Sequence, residues 1–128
     1  MKILVAYAAA LLWGLAASLA PAAEVPFSQA AFDAARNAGQ TVAVVFHANW
    51  CPTCRAQAPV LKELVNSPEM NSLTLYVADF DTEKALRAAL RVNQQSTIVV
   101  FKGQRESARS TGQTQKAALE AFLRGAIS

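Results

Sequence analysis

The 128-residue chain carries two cysteines and one histidine. Two cysteines cannot build the framework of several disulfides on which small exported domains usually rely. Even with the histidine added, the chain by itself falls short of the four ligands that a structural zinc site takes. Charge is sparse as well: 16% of residues are charged and 53% are hydrophobic. The 12 Lys and Arg and the 9 Asp and Glu, net +3, are scattered along the chain. No basic block marks a nucleic-acid binder, so nucleic acid is not an expected partner. No internal repeat or low-complexity segment occurs after residue 23.

One absence is local. From Ile3 to Ala23 there is no charged residue, and Lys2 lies just ahead of the run. A basic start, an apolar stretch and a small-residue exit describe a secretory signal peptide. Ala20-Pro21-Ala22 fits the exit, so a signal peptide over 1–22 and a single domain over 23–128 are expected. Cleavage after Ala23 is the near alternative. An uncleaved anchor holding the domain on the periplasmic face is another, since roughly 20 apolar residues can span a bilayer. The abundance of alanine and the closing Pro21 favour cleavage. No cysteine lies near the exit, which excludes a lipid-modified N-terminal cysteine.

Along the domain, hydrophobic periodicity separates strands from helices. Ala31, Phe32, Ala35 and Ala38 recur at helical spacing, with Ser28 as N-cap and Gly39 as stop. Val42 to Phe46 is an unbroken apolar run of the kind found in strands buried on both faces. The segment from Cys51 to Asn66 puts Cys54, Ala58, Leu61 and Val65 on one helical face, and Pro59 inside it predicts a kink. A strand over Leu73–Ala78, a helix over Thr82–Val92 and a buried strand over Thr97–Phe101 follow. The helix has Ala85, Leu86, Ala89 and Leu90 on its apolar side. Lys102-Gly103-Gln104 turns into a strand over Arg105–Ser110. A last helix carries Leu119, Phe122, Leu123 and Ala126, with Thr114 as its cap. Strand–helix–strand–helix–strand, then a hairpin and a helix, implies parallel pairing with helices on both faces. Active positions in such sheets lie beyond the carboxyl ends of the strands, which is where Cys51 stands.

The two cysteines lie three positions apart, in Trp50-Cys51-Pro52-Thr53-Cys54. So small a loop staples little of the chain, and the pair reads better as chemistry than as scaffolding. At a helix start this spacing sets both sulfurs on one side of the first turn, close enough to bond. Unpaired N–H groups and the helix dipole there stabilise a thiolate. Pro52 fits the first turn, where its missing N–H costs nothing. Cys51 is then the attacking sulfur and Cys54, one turn inward, resolves the mixed disulfide. Thr53 can donate its hydroxyl toward Cys51. Arg55 can stabilise the thiolate or simply face solvent. The rival readings are inert packing at a helix start, and a metal site completed by sulfurs from a second chain.

Trp50 to Arg55, with Pro59 downstream, resembles the active-site segment of thioredoxins, and the likeness extends over nearly all of residues 23–128. The Cys-Pro-Thr-Cys wording is similar to that of periplasmic thioredoxin-like reductants. The resemblance implies a thioredoxin-like α/β fold with a central mixed sheet and helices on both faces. It implies thiol–disulfide exchange with protein substrates and no cofactor beyond the sulfurs. It also implies a docking surface around Trp50, Pro52, Gln95, Ser96 and Gly112, although ordinary aromatic packing accounts equally well for Trp50.

Three positions depart from that family. Its buried aspartate is here Val45, and the lysine partner on the next strand falls at Val77. Losing both members of a buried charged pair is physically coherent, because losing one would strand a charge. His47 lies on the same strand face as Val45. As an imidazole it is a candidate proton acceptor, although a structural strand-end role is the more usual one. Where the family has a cis-proline facing the cysteines, this chain has Ser96, for which a trans bond is expected. Taken together, the chain is expected to be a soluble, monomeric periplasmic oxidoreductase. It would act as a reductant fed by a membrane electron-transfer partner, with the metal-bridged dimer as the alternative.

Overall fold

The computed structural model describes residues 24–128; the expected signal peptide over 1–22 lies outside them. In chain order the elements are β1 (Glu24–Pro26), α1 (Gln29–Asn37), β2 (Thr41–His47), α2 (Pro52–Val65), β3 (Leu73–Asp79), α3 (Lys84–Leu90), β4 (Thr97–Lys102), β5 (Arg105–Thr111) and α4 (Lys116–Ile127). A single 3-10 turn, Pro68–Met70, joins α2 to β3. The strands form one sheet in the order β1-β3-β2-β4-β5.

The two uninterrupted apolar runs become the strands with helices on both sides. Val42 to Phe46 in β2 and Thr97 to Phe101 in β4 are all buried. Alternation along these strands divides the core into two clusters. One gathers Phe32, Val42, Val44, Phe46, Tyr76, Val99 and Leu86, on the side of α1 and α3. The other gathers Ala43, Val45, Leu61, Leu75, Ile98, Val100, Leu119 and Leu123, on the side of α2 and α4. Such two-sided burial supplies the main favourable term of folding, and it holds the strand ends rigid beneath the cysteine loop. At the exposed edge, β5 carries Arg105, Glu106 and Arg109, charges that discourage pairing with another chain.

Several expectations need correction. β1 and β2 are parallel to β3, but β4 runs antiparallel to both β2 and β5: the sheet is mixed, as the resemblance implies, and the parallel pairing read from element order alone does not extend to β4. The reversal decides where the site forms: the start of β4, not its end, lies beside the carboxyl end of β2. β1 has three residues and was not read as a strand, because so short an edge carries no periodicity. The third helix is shorter than Thr82–Val92. Asp79 Oδ1 accepts from the amides of Asp81 and Thr82, which holds that segment as a turn, and Arg91 ends the helix at φ 55. Ala85 and Ala89 are exposed, so Leu86 alone of that helix is buried. Thr114 does not cap α4; Gln115 is the N-cap residue and makes no side-chain capping bond.

The Ser28 cap and the Gly39 stop of α1 hold. Ser28 Oγ accepts from the Ala31 amide at 3.3 Å, and Gly39, at φ 77, takes the left-handed turn that closes α1. α2 runs as one helix through Pro59, whose missing N–H leaves the Arg55 carbonyl without its usual helical donor.

Candidate active site

Cys51 is the N-cap residue of α2, with Pro52 at the first helical position. Its extended backbone, φ −87 and ψ 117, aims the sulfur back across the first turn, where it accepts from the Cys54 amide at 3.5 Å. A sulfur thus occupies the place in which a serine or aspartate oxygen would normally satisfy an orphan helix N–H. The Cys51 thiol is held below its ordinary value of 9.0. The Cys54 amide is the main cause, followed by the Cys54 side chain; burial opposes them, and the Ser96 hydroxyl and Thr53 amide lower it further. The effect of Thr53 therefore comes through its backbone and not, as expected, through its hydroxyl. Arg55 is exposed and forms no salt bridge among the described residues. The solvent-facing reading of that residue holds.

Burial distinguishes the two sulfur residues. Cys51 is 9% exposed and Cys54 is 1% exposed, and both are free thiols. The sulfur expected to attack is thus the one nearer the surface, and the one expected to resolve lies one turn inside. Cys54 Sγ lies 2.9 Å from Ser96 Oγ and 4.0 Å from the Phe46 carbonyl. Ser96 Oγ is also 4.0 Å from Cys51 Sγ.

Ser96 reaches the sulfurs because β4 is antiparallel to β2. Val45 pairs with Ile98, and the Ser96 amide extends that ladder by donating to the Phe46 carbonyl at 2.8 Å. The Gln95–Ser96 bond is trans, as expected, and Ser96 adopts φ 60, a left-handed conformation uncommon outside glycine. Its carbonyl accepts from the Gly112 amide at 3.1 Å and from Gln57 Nε2 at 3.2 Å. Gly112 is at φ 79, where a side chain would strain the turn.

Gln57 was missed in the sequence. It is 1% exposed and also donates to the Gln113 carbonyl at 2.9 Å. A signal was available: Gln57 follows Cys54 by three positions and precedes Leu61 by four, on the buried face of α2. A glutamine on that face needs partners, and the loops beside it supply them.

Trp50 is the one large hydrophobic side chain exposed among the described residues, at 59%. Its indole N–H donates to Asp81 Oδ2 at 2.7 Å, so it is not packed into the core. Trp50, Cys51, Pro52, Ser96 and Gly112 therefore meet at one end of the sheet, with half-buried Gln95 next to Ser96. His47 is not part of that group. Its Nε2 lies 2.9 Å from Asn49 Oδ1, and it makes no hydrogen bond to either sulfur.

Val45 and Val77 are cross-strand neighbours, as the paired loss of charge requires. Beside them, between sheet and α2, is a cavity of about 90 Å³ that also touches Glu24, His47, Gln57 and Leu75. Glu24 Oε2 is buried there without a hydrogen-bond partner among the described residues. The expected metal alternative gains no support: among the described residues no group of three His, Cys, Asp or Glu side chains is placed to hold an ion.

Comparison with known proteins agrees with this geometry. The Thioredoxin family model matches residues 23–125. The thioredoxin of Alicyclobacillus acidocaldarius subsp. acidocaldarius is 30% identical over 101 residues, covering 79% of this chain and 95% of that protein. Putative thioredoxin-5 of Dictyostelium discoideum is 28% identical over 99 residues, covering 77% of this chain and 93% of its own. The crystal structure of Trxlp from Edwardsiella tarda EIB202 superposes with a TM-score of 0.75 at 39% identity, over 80% of this chain and 98% of that one.

Proposed function

Because the chain belongs to the thioredoxin family, whose members are thiol–disulfide oxidoreductases, we propose that it works as a periplasmic reductant of protein disulfides. The observation that carries the chemistry is the Cys51 sulfur at the N-cap of α2, receiving the Cys54 amide, with the Cys54 thiol buried behind it. Backbone amides at a helix start make Cys51 the better thiolate, and the thiolate is the form that attacks a disulfide.

In the forward direction the Cys51 thiolate attacks one sulfur of the substrate disulfide. One sulfur–sulfur bond forms as the other breaks, and the displaced substrate thiolate leaves. Cys54 then attacks Cys51, the mixed disulfide breaks, and the second substrate sulfur departs as a thiol carrying the Cys54 proton. The substrate gains two electrons, and the protein is left with a Cys51–Cys54 disulfide.

What stabilises the thiolate supports the reducing direction. The groups acting on Cys51 are amides, a thiol and a hydroxyl, and no full positive charge is among them. A strongly oxidising pair needs a heavily stabilised reduced form. Modest stabilisation favours a reductant, which a membrane electron carrier would have to recharge. Exposed Trp50, with Pro52 and Gly112 beside the sulfurs, offers an amphipathic platform for a substrate chain. Monomeric action is consistent with the charged edge of β5. Export rests on the apolar run before Ala23. Acid trapping of thiols in intact cells tests the reading. With electron delivery intact the pair should be found mainly as the dithiol; a stable Cys51–Cys54 disulfide under those conditions would overturn the reductant assignment.

A further inference from the structure

Three side chains are buried and polar or charged among the described residues: Gln57, Ser96 and Thr97. All three meet at the start of β4. Two of them are accounted for by the backbone they hold. Gln57 donates to the carbonyls of Ser96 and Gln113, while Thr97 Oγ1 donates to the Gln94 carbonyl and lies 2.9 Å from Thr111 Oγ1. Ser96 is different. Its amide and carbonyl are already committed, to Phe46 and to Gly112 with Gln57, so only the hydroxyl is free to act. That hydroxyl faces the two sulfurs, at 2.9 Å from Cys54 Sγ and 4.0 Å from Cys51 Sγ.

We propose that the Ser96 hydroxyl is a catalytic group of the exchange reaction, donating its one O–H hydrogen bond in turn to whichever sulfur carries the negative charge. This rests on the thiol-exchange reading and adds a residue to it.

A hydroxyl has one donor, two acceptor positions and a free rotor, so it can serve both sulfurs without moving its oxygen. In the dithiol form the charge is on Cys51. The Cys54 S–H then donates to Ser96 Oγ, and Ser96 O–H turns toward Cys51. Once Cys51 is in the mixed disulfide its charge is gone, and Cys54 must give up its proton to attack. The rotor turns, and Ser96 O–H donates to the Cys54 sulfur as negative charge grows there. Cys54 bonds to Cys51, the Cys51–substrate bond breaks, and the released substrate thiol carries the proton that Cys54 lost. Ser96 keeps its own proton throughout.

Geometry favours the second step over the first, since the hydroxyl is much nearer to Cys54. The surroundings also favour it. Cys54 is 1% exposed, and neither Val45 nor Val77 offers it a polar group. In so dry a place one hydrogen bond to a charged sulfur counts for more than it would in water. The left-handed backbone of Ser96 fits a local strain held in place by three partners, Phe46, Gly112 and Gln57, as functional residues often show.

Stopped-flow mixing of the reduced protein with a symmetric nitroaryl disulfide separates the two steps, because each releases one equivalent of coloured thiolate. The wild type should release two equivalents, and a Cys54→Ser variant one. Ser96→Ala and Ser96→Gly should leave the first release within about threefold of wild type and slow the second about tenfold or more, the rate equivalent of one hydrogen bond to a charged sulfur. Their second release should also gain more from rising pH than that of the wild type. Ser96→Thr, which keeps the hydroxyl, should restore the second release. Glycine relieves the positive φ and alanine does not, so slowing in both assigns the effect to the hydroxyl. A second release at the wild-type rate in the folded alanine and glycine variants overturns the proposal and leaves thiol exchange standing. A wild type that releases only one equivalent overturns both.

Discussion

Cys51 does two jobs with one atom in the proposed reaction: its sulfur caps α2 and attacks the substrate disulfide. The cap explains the reactivity, because the amide that needs an acceptor finds a sulfur, and it finds a better one when the sulfur is charged. Alkylation of the reduced protein should therefore modify Cys51 first, with a rate inflection below 9.0, the ordinary thiol value. The sign also carries to stability. A thiol depressed in the folded state gains stability from ionising, fully present above 9.0 and lost as pH falls through the depressed value. The reduced wild type should gain stability over a Cys51→Ala variant as pH rises through that window, as urea unfolding at several pH values would show. Gln57 is the structural partner of this chemistry. Gln57→Leu leaves the Gln113 carbonyl without this donor and removes one of two from Ser96, which should cost about 1–3 kcal/mol in denaturant unfolding. The sulfur pair and its place at the start of α2 were legible from spacing and the neighbouring Pro52. The roles of Gln57 and the Ser96 hydroxyl were not, because each depends on residues 39 or more positions away.

At the level of elements, the antiparallel β4 is the decisive feature. Six residues of β4 span roughly 20 Å. Had β4 run parallel to β2, Ser96 would lie about that far from the cysteines. Chain order alone could not reveal this, since a buried apolar run reads the same in either direction. Helix starts were more legible where a short polar side chain stood directly before the periodic segment. Ser28 meets that condition and caps α1; Thr114 lies one residue too early, and α4 begins after Gln115. Ser28→Ala should lower stability by about 1 kcal/mol, while Thr114→Ala should stay within about 0.5 kcal/mol of wild type. Equal losses in thermal or urea unfolding would contradict that assignment. β1 illustrates the opposite limit. Its three residues have no pattern, yet it brings Glu24 to the cavity beside Val45 and Val77.

At the scale of the whole described domain, a sheet buried on both faces holds a small reactive end, where Trp50 is the one large hydrophobic side chain exposed among the described residues. The fold class was legible because its elements have clean periodicities and appear in a distinctive order. Among the described residues no helix is long and apolar enough to cross a membrane. The export proposal therefore rests on the sequence before Glu24. Mass spectrometry of protein recovered from a periplasmic fraction should find a chain beginning at Ala23. A full-length chain retained in the cytoplasm would contradict export without touching the chemistry.

The central claim, that Cys51 and Cys54 form a reducing dithiol/disulfide pair, is tested most directly by titrating the purified protein against a graded redox buffer. The dithiol fraction is read at each step by thiol labelling. A single two-electron transition in the thioredoxin range, near about −270 mV, is the expected result. A transition near about −120 mV would mark an oxidant, and the absence of any two-electron transition would contradict the pair as the reactive centre.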